Sequence, residues 1–250
     1  MLRFSGGMKR WWILLIVCGA ARAAEVKEEL VTHAGTRFRV VRLEPARVGL
    51  VWKDGSGETY STFDRVQSDF ARQGKKVRFL MNAGIYEPGG VPSGLHIEGG
   101  RMLRPANQAE GKGNFFLKPN GMVAGFANGK ARIGTPESWD AWSKSGGPKV
   151  VDAAQSGPLL LIAGQRHPAF RDGSDSRLHR NGVGVDGEGR LVFAITAPGE
   201  RVNFWDFAGL FLKLGCQDAL FLDGDISQMT VNPDRPVPSN RFGAMFVVAE

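Results

Sequence analysis

Cysteine is almost missing from this sequence. The 250 residues hold two, Cys18 and Cys216, and Cys18 lies in a segment that reads as an export signal. With Cys18 removed, Cys216 has no partner, which excludes an intramolecular disulfide. Cys216 sits in "LFLKLGCQDALFLDG" with no base in the neighbouring sequence, so it reads as a small buried hydrophobe and not as a nucleophile. Long apolar runs are also scarce. The one present, "WWILLIVCGAA" (11–21), is too short to span a bilayer as a mature helix. There is no Lys/Arg-rich run with interleaved aromatics, which argues against nucleic acid as a partner. No G-x-S-x-G occurs, and Ser93 and Ser156 have no nearby His, so a serine hydrolase is disfavoured. The four histidines, His33, His96, His167 and His179, show no metal-ligand spacing. No internal repeat or low-complexity linker divides the chain.

What is present begins with the N-terminus. Arg3, Lys9 and Arg10 precede the apolar run, and Ala21 and Ala23 follow it at the −3 and −1 positions of an A-x-A site. This is the pattern of a secretory signal peptide over 1–23, with a retained N-terminal anchor as the alternative. Cleavage leaves a domain of residues 24–250, starting at Ala24 or Glu25. It also removes Arg3, Lys9, Arg10 and Arg22, so the net charge falls from +7 to +3. The mature chain is therefore expected to be periplasmic or secreted, not membrane-spanning, and one domain with a full core.

Pattern along the mature chain predicts strands over 37–43, 47–52 and 77–84. A helix is predicted over 62–74 with Thr62 as cap and Gly74 as stop. "GLHIEGGRMLRP", "NFFLKPNGMVAGF" and "FANGKARIG" read as hairpins turning at Gly-Gly or Asn-Gly. "TPESWDAWS" (135–143) is a short helix with Thr135 as cap and Pro136 at its first position. "RNGVGVDGEGRLVFAIT" (180–196) contains G-x-G-x-x-G at Gly182, Gly184 and Gly187. A dinucleotide fingerprint must open a helix directly after its glycines. Here Val183 and Val185 alternate with glycine at a period of two, so the run is a hairpin, and the next helix starts only at the Asn203 cap. The fold class that follows is α+β, a single domain with a largely antiparallel or mixed sheet, many hairpins and a few helices.

Four stretches end an apolar strand in a polar residue and glycine: "MNAG" (81–84), "AQSGP" (154–158), "HRNG" (179–182) and "LDGD" (222–225). Alone, each is an ordinary turn. Together they bring Asn, Gln, Ser, Arg and Asp to strand ends, a set suited to an anionic, hydroxyl-rich ligand. Trp139, Trp142 and Trp205 are read as core residues that could also face a glycan. Arg180 has a plainer reading as a surface ion pair with Asp175 or Asp186. Glu87 and Glu98 are possible acid/base groups, although hairpin charges are usually solvated. "DGDIS" opens like a calcium loop, but Gln228 stands where that loop requires glycine. Metal ligands are therefore left unassigned: no cofactor is required, and a divalent metal stays an option.

In order, "NAGIYEPGGVPSGL", "QSGPLL", "RNGVGVDGEGRLVFAI", "FAGLFLKLGCQDALFLDG" and "FGAMFVV" resemble the phosphodiester glycosidase family, over about 78–248. The resemblance implies a hydrolase that cleaves a sugar-1-phosphodiester, free or in an envelope glycan. It assigns Asn82, Arg180 and Asp223 to the catalytic centre, with the planar fork of Arg180 expected to bind two phosphate oxygens and Asp223 expected as the carboxylate near the anomeric carbon. It places Gln155, Ser156, Asn181, Gly224, Asp225 and Ser227 around the substrate, with His179 in support. Relatives continue Leu-Asp-Gly with glycines and serines, whereas here Asp225 and Ile226 precede Ser227, adding a carboxylate that would repel phosphate. The alternative is a periplasmic protein that binds a glycan or sugar phosphate without turning it over.

Overall fold

Strand Thr36–Leu43 buries both of its faces: Phe38 and Val40 point to one core, Val41 and Leu43 to another. A strand apolar on both sides needs a layer above and a layer below it. The computed structural model, which describes residues 25–250, supplies both. Thr36–Leu43 is second in a seven-stranded sheet whose order is Glu28–His33, Thr36–Leu43, Leu191–Thr196, Asn181–Asp186, Cys216–Asp223, Leu159–Ile162 and Gln165–Arg166. A four-stranded sheet runs Met229–Val231, Val77–Asn82, Met245–Ala249, Gly49–Val51. A five-stranded sheet runs Ala131–Gly134, Gly121–Phe126, Val150–Ser156, His96–Glu98, Arg101–Arg104. Each strand pair in these sheets is antiparallel. The expectation of one largely antiparallel or mixed sheet is thus refined to several antiparallel sheets around a shared core.

That core joins all three sheets. Val183, Phe193 and Leu222 of the seven-stranded sheet meet Phe79, Met81 and Phe246 of the four-stranded and Val123 and Ala154 of the five-stranded. Each sheet is then covered on its outer face by a helix. Helix α1 (Phe63–Arg72) covers the four-stranded sheet with Phe63 and Val66. Helix α2 (Pro136–Lys144) lays Trp139 on Ile97, Met122 and Ala153 of the five-stranded sheet. Helix α3 (Phe204–Lys213) buries Phe207, Ala208, Leu210 and Phe211 against Phe38, Leu160, Val192 and Phe221. Truncating a ring such as Phe207 or Phe211 should cost about 3–5 kcal/mol. The seven-stranded sheet curls around α3 so far that His33 and Arg166, from its two edge strands, both close on Gly209. Among the described residues no helix is long and apolar enough to cross a membrane.

The run 181–196 is a hairpin of Asn181–Asp186 and Leu191–Thr196. Its glycines serve packing. A Cβ at 184 would lie 2.6 Å from the Cys216 Sγ and 2.8 Å from Phe211, and one at 182 would lie 2.9 Å from the Leu220 carbonyl and 3.2 Å from Phe207. Cys216 is a free, buried thiol, and burial pushes its pKa up to about 12. Thr135 and Asn203 cap their helices by accepting the Ser138 and Asp206 N–H groups. Thr62, expected to do the same for α1, makes no such bond; the Ser239 hydroxyl oxygen accepts the Phe63 N–H instead. "NFFLKPNGMVAGF" is not a hairpin. Asn114–Phe116 form a single 3-10 turn, and the Asn120 amide donates back to the Phe115 carbonyl, so Asn120-Gly121 leads into a strand without reversing the chain. The signal-peptide reading of 1–23 lies outside the described residues.

Candidate active site

Three strands deliver their ends to one place. Val77–Asn82 closes on Asn82, Asn181–Asp186 opens on Asn181, and Cys216–Asp223 ends opposite Asn181 in register. Because these strands belong to two sheets, their junction is where polar side chains can meet between the layers.

The meeting is an amide network. The Asn181 side-chain N–H₂ donates to the Asn82 Oδ1 at 2.9 Å and to the Asn82 carbonyl at 3.2 Å. The Asn181 Oδ1 accepts the Asp223 N–H at 2.8 Å and the Ser227 hydroxyl at 3.0 Å. The Asn82 Oδ1 also accepts the Gln228 N–H at 3.1 Å. Asn181 is wholly buried and Asn82 nearly so. Leaving one such group unpaired costs about 1–3 kcal/mol, so the network fixes the backbone on both sides of the Asp223 turn. One donor is left over: the Asn82 Nδ2 is buried with no partner.

Asp223 itself is half-buried. Its Oδ1 accepts the Gly224 N–H at 2.7 Å, and among the described residues no cation pairs with it. Burial outweighs that hydrogen bond and pushes the carboxyl up to about 6. Asp225, one turn on, is exposed and its Oδ1 accepts the His179 N–H at 3.0 Å. His179 braces the same turn, since its Nε2–H donates to the Ser227 carbonyl at 3.0 Å. Its Nδ1 is then the acceptor for the Thr196 hydroxyl, whose oxygen takes the Arg180 N–H. Burial lowers the His179 pKa, which keeps this neutral arrangement.

Arg180 departs from both expectations placed on it. It is 1 % exposed, so it forms no surface pair with Asp175 or Asp186, and Asp186 bonds Arg190 at 2.9 Å. Nor is its fork open for a two-pronged grip. Nε donates to the Val202 carbonyl at 2.9 Å, Nη2 donates to the Ser176 carbonyl at 3.1 Å, and the guanidinium lies 3.7 Å from the Phe204 ring centre. Nη1 is buried and unpartnered. Burial lowers the pKa to about 10, opposed by Asp225, so the group stays a cation.

Gln155 and Ser156 form the wall. The Ser156 hydroxyl donates to the Leu222 carbonyl at 2.8 Å and accepts the Ile85 N–H at 3.4 Å. The Gln155 Oε1 accepts the Leu95 and Asn107 N–H groups, and its Nε2 donates to the Asn107 carbonyl. Gly84 has φ +146, and a Cβ there would sit 3.2 Å from Ser156, so the wall approaches the Asn82 turn as closely as glycine allows. The tryptophans lie elsewhere: Trp139 is core, Trp142 packs on Phe126 and Trp205 lies under Arg166. Glu87 accepts the Ser93 hydroxyl, and Glu98 pairs with His96.

Two residues at the site had no sequence signal. The Tyr86 hydroxyl donates to the Arg241 carbonyl at 2.6 Å; burial, then the Asp223 charge, push its pKa up, while Arg241 opposes. Tyr86 was visible only as one letter of "NAGIYEPGG". Among the described residues no group of three His, Cys, Asp or Glu is placed to hold a metal.

Residues 75–246 match the phosphodiester glycosidase family. The protein YigE of Escherichia coli K12, named as uncharacterized, is 36% identical over 192 residues, covering 76% of this chain and 71% of the relative. This chain belongs to the phosphodiester glycosidase family. Family membership supports a hydrolase. The catalytic domain of zebrafish N-acetylglucosamine-1-phosphodiester alpha-N-acetylglucosaminidase superposes with a TM-score of 0.65 at 14% identity, over 89% of this chain and 81% of that one. An exported protein of Burkholderia pseudomallei K96243, titled putative, gives 0.52 at 13% identity, over 85% and 74%. At these identities the likeness is one of fold.

Proposed function

We propose that this family member is an exported hydrolase that cleaves a sugar-1-phosphodiester at the sugar–oxygen bond, with Asp223 acting at the anomeric carbon. The observation that carries this reading is Asp223: a carboxyl pushed up to about 6, with no cation paired to it, on a backbone fixed by Asn181. A base works best when its pKa lies near the working pH. The departing phosphomonoester has a conjugate acid of pKa about 6 and leaves with little help from an acid. An ordinary sugar alcohol, nearer to water at about 15.7, needs a proton donor. Charge stabilisation and one carboxylate are therefore the main requirements, and Asp223 supplies the carboxylate that supports an oxocarbenium-like state or activates water. The free Asn82 Nδ2 is the donor this reading assigns to a substrate oxygen, and the Arg180 charge beneath the turn favours the anion. Export rests on the 1–23 signal.

The test uses a sugar-1-phosphodiester whose phosphate carries a nitrophenyl group. A glycosidase releases free sugar and nitrophenyl phosphate, which turns yellow only after added phosphatase. A phosphodiesterase releases nitrophenol directly and would overturn the reading. Binding of the compound without turnover would make the protein a glycan-binding one.

A further inference from the structure

If Arg180 spends its fork on backbone carbonyls, another group must meet the phosphate directly. The loop before the last strand holds one. The Asn240 N–H donates to the Gln228 Oε1 at 2.6 Å, and its Nδ2 donates to the Ile226 carbonyl at 2.8 Å, tying this loop to the Asp223–Ser227 turn. The next residue, Arg241, has its carbonyl held by Tyr86, and the Phe242 N–H donates to the Ser61 carbonyl at 2.7 Å. The Arg241 backbone is therefore fixed on both sides. Its side chain is exposed, and among the described residues its guanidinium makes no hydrogen bond or ion pair. A fixed base under a free planar fork is the arrangement that grips a phosphate by two oxygens.

Arg241 also borders a space. With Ser61, Tyr86, Gly89, Gly90 and Phe242 it lines a cavity of about 270 Å³. Gly89 and Gly90 have φ +83 and +72, a backbone that keeps side chains off this wall. The Asn240 bonds to Gln228 and Ile226, and the Tyr86 bond to the Arg241 carbonyl, dock this wall of the cavity against the turn that carries the candidate catalytic carboxylate.

Resting on the reading of a sugar phosphodiester as substrate, we propose that Arg241 binds its phosphate directly and that the cavity beside it receives the group esterified to that phosphate. Arg241 would then set the preference for a phosphodiester over a neutral glycoside.

The experiment compares wild type with Arg241→Gln and Arg241→Lys on the nitrophenyl phosphodiester and on the neutral nitrophenyl glycoside of the same sugar. Inorganic phosphate binding is followed in parallel by calorimetry. The expected result is about a 100-fold fall in the kcat/KM preference for the phosphodiester in Arg241→Gln, with partial recovery in Arg241→Lys. Arg132→Gln, on the edge strand of the five-stranded sheet, serves as the control and should leave the preference unchanged. A preference within threefold of wild type in Arg241→Gln overturns the proposal. If wild type turns over neither compound, the functional reading fails, and phosphate binding alone decides Arg241. Binding weakened at least tenfold by Arg241→Gln upholds the anion site, and equal or absent binding overturns it.

Discussion

Arg180 and Asn181 are neighbours in the chain, both buried to within a hundredth of their surface, and they face different surroundings. On the α3 side, Arg180 is a cation among the rings of Phe204 and Phe221, and its hydrogen bonds go to the carbonyls of Val202 and Ser176. On the side facing the four-stranded sheet, Asn181 is an amide among amides and hydroxyls, with both of its side-chain atoms spent on Asn82, Asp223 and Ser227. The amide side fixes position, because each bond is short-range and directional. The cation side fixes potential, because its charge reaches the Asp225 turn without touching it. A site for an anionic substrate needs both, and here one dipeptide supplies them to opposite faces of a strand.

The largest expected effect separates the carboxylate from its support. Asp223→Asn should lower kcat on the order of 10³-fold and leave affinity for a sugar 1-phosphate within threefold, measured by steady-state kinetics and calorimetry. Normal turnover would remove Asp223 from the mechanism. Next, Asn181→Ala should destabilise the fold by about 2–5 kcal/mol in urea titration, since it strands the Asp223 N–H and the Ser227 hydroxyl and leaves the Asn82 oxygen only the Gln228 N–H. A loss below about 1 kcal/mol would mean that water replaces the network. Arg180→Lys keeps the charge but not both carbonyl bonds, and should cost about 2–3 kcal/mol of stability. If stability is unchanged while phosphodiester turnover falls, Arg180 acts on the substrate and not on the fold.

A smaller effect concerns pH. Burial raises the Asp223 carboxyl from 3.8 to about 6, so the native state binds more protons than the unfolded state between those values. Stability from this group is therefore present below pH 3.8 and falls as pH rises to about 6, by at most roughly 3 kcal/mol. Asp223→Asn lacks that fall and should gain on wild type by this amount between pH 4 and 7. The smallest effect is none: reductant should leave the unfolding midpoint unchanged, because Cys216 is a free thiol.

The parts that were legible in the sequence are local. The 181–196 hairpin follows from alternation, and α3 from the Asn203 cap and its apolar face. The convergence of the Asn82, Asn181 and Asp223 strand ends was readable as a pattern of residue types, although not as a network. Other features depended on distant partners. "QSGP" joins Val150–Ser156 to Leu159–Ile162, which look like one hydrophobic unit but enter different sheets. Glu28–His33 is too polar to announce a strand; ion pairs of Glu28 with Arg39 and Glu29 with Arg42 hold it at an edge. Arginine is almost never fully buried, so composition pointed Arg180 outward. Tyr86 and Arg241 meet only because loops some 150 residues apart dock on one turn.

The strand order of the seven-stranded sheet also sets a timetable. The hairpin of Glu28–His33 and Thr36–Leu43 can close within about 1–10 μs. Its inner neighbour, Leu191–Thr196, is far along the chain, and α3, which covers it, comes later still. Pairings of such long sequence separation form slowly. During synthesis at about 5–20 residues per second, the wait for that partner lasts roughly ten seconds or more. For that interval Phe38 and Val40 lack their native cover, and dilution or a chaperone must keep unfinished chains apart.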